Sequence, residues 1–122
     1  MAEMQVGRDL DAAVARAIGG VPVDMARDHP GMVTWWRMPN HSLGALRHYS
    51  TSDDDAGAAL DALLERHPDL AIELWHTAAS TTWECEVMYD GMRHKGMGEG
   101  ETRAAAICRA ILELEADHAE AH

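Results

Sequence analysis

Residues 83–112 constrain the fold of this chain more than any other stretch. Trp83-Glu-Cys-Glu-Val-Met-Tyr89 alternates apolar and acidic residues as a half-buried strand does. Asp90-Gly91 is a turn dipeptide, spaced glycines run on to Gly100, and Thr102-Arg-Ala-Ala-Ala-Ile-Cys-Arg-Ala-Ile-Leu112 has apolar residues at helical spacing. Strand, turn and amphipathic helix in that order describe one side of a small α/β layer packing. The segment specifies architecture rather than chemistry, because no nucleophile, base and orienting group come together in it.

At 122 residues the chain is read as one domain, 1–122, with a core that needs neither disulfide nor metal. There is no Phe, so burial rests on aliphatic residues, eight Met and four Trp. A formal charge of −11 repels nucleic-acid phosphates and anionic headgroups, and suits a partner with a basic surface. Cys85 and Cys108 both fall on apolar patterns and read as core thiols, which points to a reducing compartment. No apolar run approaches the ~18 residues of a membrane helix and the N-terminus has no signal-peptide pattern, so the expected location is the cytoplasm.

Three helices are expected. In residues 9–19, Leu10, Val14, Ala17 and Ile18 share a face, with Asp11, Ala12 and Arg16 elsewhere on the wheel; Asp9 is the expected cap and Gly19-Gly20 the stop. Residues 52–67 open on Ser52 and three aspartates, bury Ala56, Ala59, Leu60, Leu63 and Leu64, and end before Pro68. Residues 102–116 bury Ala104, Ile107, Cys108, Ile111 and Leu112, and residues 117–122 should fray. Strands are expected near 70–77, 82–89 and 92–95 as an antiparallel meander. Residues 21–48 read as an irregular insert with one short strand around Met32 to Trp36, and so as a candidate ligand-facing surface. The expected fold is α/β (α+β), a layered sandwich of a small antiparallel sheet with helices packed on its faces; a helix layer on each face would bury Trp75.

The chain resembles the small phage proteins of the phage ABA sandwich domain family. The likeness is carried by Leu10-Asp-Ala-Ala-Val-Ala-Arg-Ala-Ile-Gly19, Tyr49-Ser-Thr-Ser52 and Thr102-Arg-Ala-Ala-Ala-Ile-Cys-Arg-Ala-Ile111, in that order and spacing over most of the chain. The resemblance implies an antiparallel sheet layered with helices, in a phage or prophage protein made in a bacterial cytoplasm. It implies no activity and no catalytic residues. The extended stretch between Asp24 and Arg47 departs from the family pattern, and a function particular to this chain would sit there.

Candidate sites divide by chemistry. Gly96-Met-Gly-Glu-Gly-Glu-Thr102 looks like a phosphate-cradling loop before a helix, but Glu99 and Glu101 already supply the negative charge and no Lys-Ser/Thr pair follows. No His or Cys spacing matches a zinc signature; His41 with His48 and His76 with His94 are the pairs to inspect, and no metal or cofactor is expected. Asp53, Asp54 and Asp55 read as helix capping. Glu84 and Glu86, about 7 Å apart on one strand face, read as a solvated surface. Trp35 and Trp36 either replace the missing Phe in the core or offer a rigid apolar platform.

The candidate binding surface is therefore Trp35, Trp36, Arg37, Arg47 and His48. The expected function is that of a non-enzymatic phage accessory protein binding a host component through its acidic surface and the 30–48 segment. The alternative is a small-ligand or nucleotide-sequestering protein, in which a tryptophan stacks a base and Arg37, Arg47 or His48 meets a phosphate; its mark would be a concave pocket with arginine beside tryptophan. Two unpaired sheet edges would also leave room for a homodimer.

Overall fold

In the computed structural model, residues 4–23, 35–76 and 79–120 are described, with side chains through residue 117. Helix α1 (Arg8–Ala17) starts one residue before the expected Asp9 cap. Its N-cap is Gly7, held from outside the helix: the Gly7 amide donates to Ser50 Oγ at 3.1 Å. Gly19, at φ 96°, turns the chain away at the other end, and its amide and that of Gly20 satisfy the last carbonyls. Arg66 from α2 donates to the Ala17 carbonyl at 3.1 Å.

Helix α2 (Asp53–Arg66) starts where its sequence dictates and buries Ala56, Ala59 and Leu63, while Leu60 is half-buried and Leu64, expected on the buried stripe, is exposed. Ser52 accepts the Asp55 amide at 3.2 Å, and three carboxylates face the positive end of the helix dipole. Helix α3 (Arg103–Glu120) is capped in the same way by Thr102, whose Oγ1 accepts the Ala105 amide. It continues past the expected fraying point at 117, while residues 121–122 lie outside the described part.

Two antiparallel three-stranded sheets accompany these helices, so the fold is α+β. The small one joins β1 (Val21–Val23), β2 (Trp35–Arg37) and β3 (Leu43–Gly44), where the sequence suggests one strand only; the stretch from Met32 to Thr34 lies outside the described residues. The larger one is the expected meander of β4 (Ala71–Trp75), β5 (Trp83–Tyr89) and β6 (His94–Gly100).

Strand β6 corrects two expectations. It begins at His94 and runs to Gly100, so it overlaps the expected 92–95 only at His94 and Lys95, because Asp90, Gly91 and Met92 all take positive φ and form the turn. Residues 96–100 are not a glycine loop either, but the strand itself, with Gly96, Gly98 and Gly100 turned to α3. A Cβ at Gly96 would fall on the backbone of Ala110 and Leu114, and one at Gly98 on that of Ala106 and Ala110. Glycine at every second position lets a helix lie directly on a strand, and the apparent phosphate cradle is this contact.

The register divides the larger sheet into two faces. Ile72, Leu74, Cys85, Val87 and the three glycines turn to the helices, where Cys85 and Val87 are fully buried with Leu63, Cys108 and Ile111 in one hydrophobic cluster. The other face is a grid: Ala71, Met88 and Lys95 in one row, Glu73, Glu86 and Met97 in the next, Trp75, Glu84 and Glu99 in the third. Glu73, Lys95, Met97 and Glu99 are exposed there and Trp75 is half-buried, so no helix of the described residues covers this face.

Candidate functional site

The open grid and the small sheet place the predicted side chains in different surroundings. Strand β2 alternates, so its neighbouring tryptophans part. Trp36 is buried at 6 % exposure and joins the core, with the Arg16 guanidinium 5.3 Å from its ring centroid; Trp35 is half-buried and shares the opposite face with exposed Arg37. The two do not form one platform. Half of the core alternative holds, since Trp36 takes a place that Phe would fill.

Arg47 and His48 lie on the segment that follows β3 and are tied down by neighbours. Arg47 Nη1 is 3.4 Å from Asp55 Oδ1, and the His48 amide donates to Asp55 Oδ2 at 2.9 Å. Arg8 reaches over from α1, with Nη1 donating to His48 Nδ1 at 2.9 Å and Nη2 to the Leu46 carbonyl at 2.7 Å. Of the five predicted residues, Trp36 and Arg47 meet: both line a cavity of about 310 Å³ beside β3, together with Met38, Leu46 and Tyr49. Trp35, Arg37 and His48 are not on its wall.

Tyr49 is a residue that sequence reasoning assigned to a helix start. It is 2 % exposed, and burial pushes its phenol above the ordinary value while Arg47 pulls the other way. The same burial holds the core thiols protonated, with Cys85 pushed up to about 11 and Cys108 to about 12. Neither cysteine has the electropositive, accessible setting of a reactive thiolate.

On the open grid the carboxylates face each other. Glu73 is directly opposite Glu86, and Glu84 directly opposite Glu99, with Lys95 as the one cation on this face among the described residues. Trp75 donates its indole N–H to Glu84. Like charges paired directly across strands destabilise a sheet, and this face carries two such pairs in adjacent rows. The sequence shows the acidic alternation of β5, but the pairing depends on register with β4 and β6.

The strand histidines singled out for inspection, His76 and His94, have other partners. His76 stacks on Trp83 with centroids 4.6 Å apart, while His94 stacks on Tyr89 and contacts Asp117. Among the described residues no three side chains of ligand type converge, and no helix is long and apolar enough to cross a membrane.

No protein-family model matches this chain, and no curated protein matches it. Among solved structures it is similar to a phage protein from Bacillus cereus ATCC 14579, known from a 2.0 Å crystal structure. That likeness covers 93 % of this chain and 95 % of the other at 17 % identity and a TM-score of 0.65. At that identity the likeness is one of fold.

Proposed function

We propose that this chain is a phage-encoded accessory protein, without catalytic activity of its own, that binds a basic host protein in the bacterial cytoplasm through the open face of the β4–β5–β6 sheet. The reading places it with the phage ABA sandwich domain proteins that its sequence resembles, and the likeness of fold to a phage protein supports that placement. The observation that carries the binding role is the two pairs of opposed glutamates on a sheet face that no helix of the described residues covers. Glu73 against Glu86 and Glu84 against Glu99 cost stability in the free protein, and a surface of Lys or Arg side chains would turn that cost into attraction. Trp75 and Met97 lie within the same grid and supply the apolar contact that a charged patch alone lacks.

The test is a tagged pull-down from bacterial lysate with the wild type beside a Glu73→Lys/Glu86→Lys variant. The expected result is a basic protein retained in near-equal amount by the wild type, eluted by raised salt and lost from the variant. Equal capture by both would sink this reading.

A further inference from the structure

The cavity beside β3 has wall chemistry opposite to that of the molecule as a whole. The chain carries a large acidic excess, yet among the described residues no acidic side chain lines this cavity, and the charged wall residue is the cation Arg47. Trp36, Met38, Leu43 and Leu46 form apolar walls. At about 310 Å³ the space is at the small end of the range for ligand sites.

Tyr49 points to an occupant. The residue is 2 % exposed, and its hydroxyl makes no hydrogen bond among the described residues. Among the described residues no polar side-chain atom sealed from solvent lacks a partner, so this hydroxyl keeps some access, and Tyr49 lines two spaces through which it can be reached, this cavity and a neighbouring cleft. Burial keeps the phenol protonated at neutral pH, which leaves it a donor. Arg47 has one nitrogen near Asp55 and further N–H groups free to bind an anion. The second cleft, of about 200 Å³, also touches Tyr49 and Arg47, but there the carboxylates of Asp61 and Glu65 offset the cations Arg47 and Arg66, whereas no described carboxylate lines the larger cavity.

We infer that the 310 Å³ cavity binds a small aromatic anion, its ring against Trp36 and Leu46 and its carboxylate or phosphate oxygens held by the Tyr49 hydroxyl and the Arg47 guanidinium. This site is separate from the acidic sheet face, so either assignment stands if the other falls.

The experiment is calorimetric titration of the full chain with benzoate, indole-3-carboxylate and adenosine monophosphate, with benzyl alcohol and adenosine as neutral counterparts. The carboxylate and phosphate arms separate the two sources of anion. Saturable binding of an anion is expected, with at least about tenfold weaker binding of its neutral counterpart. Tyr49→Phe weakens binding about tenfold at an unchanged melting temperature, because among the described residues the lost hydroxyl holds no other group. Gly44→Leu gives a second variant: Gly44 lies opposite Trp36 on the cavity wall and a Cβ there meets open space, so the fold is kept and the cavity is filled. The proposal is overturned if no anion binds saturably at millimolar concentration, or if binding survives both Tyr49→Phe and Gly44→Leu unchanged.

Discussion

Asp11 shows how much a single side chain can join. Helical periodicity sets it off the apolar face, yet it is 1 % exposed, because the chain before α2 folds over it. Its two oxygens hold separate groups: Oδ1 accepts the Ser50 amide at 2.7 Å and Oδ2 accepts Arg8 Nη1 at 2.8 Å. The Ser50 amide is thereby satisfied where no water reaches it. Asp11→Ala strands that amide and takes one partner from Arg8, which keeps His48 and the Leu46 carbonyl, and is expected to cost roughly 2 kcal/mol in urea denaturation. The buried thiols set a pH window. Their folded pKa values are raised, so stability is full below the unfolded thiol value and falls as pH climbs through about 9 toward the folded values of about 11 for Cys85 and about 12 for Cys108. Urea midpoints should fall across that window, and a Cys85→Ala/Cys108→Ala variant should lose part of the slope.

Among the elements, those that announce themselves do so through local chemistry. Ser52 with three aspartates starts α2, Thr102 starts α3, and the alternation of β5 carries its own face assignment; all of this is legible in sequence. Strand β6 is not, because Gly-Met-Gly-Glu-Gly is read as a loop when side chains are used to detect period two. Here the buried face of the strand is the absence of side chains, and the signal available in sequence was glycine at positions 96, 98 and 100 just before an alanine-rich helix. The small sheet stayed hidden for another reason. Its strands are three, three and two residues long and pair across a long connection, so no local window holds enough of the pattern. The cavity was half legible: Trp36 and Arg47 were named, but Tyr49 meets them through tertiary packing. The close contact of β6 with α3 gives a sharp test. Gly98→Ala drives a methyl into the backbone of Ala106 and Ala110, which cannot step aside as a flexible side chain would. A loss of about 3 kcal/mol or more in denaturant stability is expected. The same helix guards the edge of β6, where Asp117 accepts the Lys95 amide at 3.3 Å and Arg109 donates to the Glu99 carbonyl at 2.8 Å.

For the whole molecule, charge is the term that couples stability to binding. A net −11 on 122 residues opposes compaction, and two glutamate pairs on one open face concentrate that opposition. The screening length falls from about 10 Å at 0.1 M salt to about 3 Å at 1 M. Repulsion between directly opposed carboxylates is therefore screened as sodium chloride rises toward about 1 M, and the free protein should be stabilised. Counting ~0.5 kcal/mol for each opposed pair, the gain from this face is about 1 kcal/mol. Neutralising Glu73 and Glu86 to Gln should deliver part of that gain without salt and flatten the remaining salt dependence, as measured by thermal melts at low and high ionic strength. The same screening acts with opposite sign on a complex with a basic partner, which weakens as salt rises. A protein whose own stability climbs with salt while its complex dissociates carries charge that the free fold does not need. Equal salt dependence in the wild type and the Gln variant would move the repulsion elsewhere on the surface and take the partner site with it.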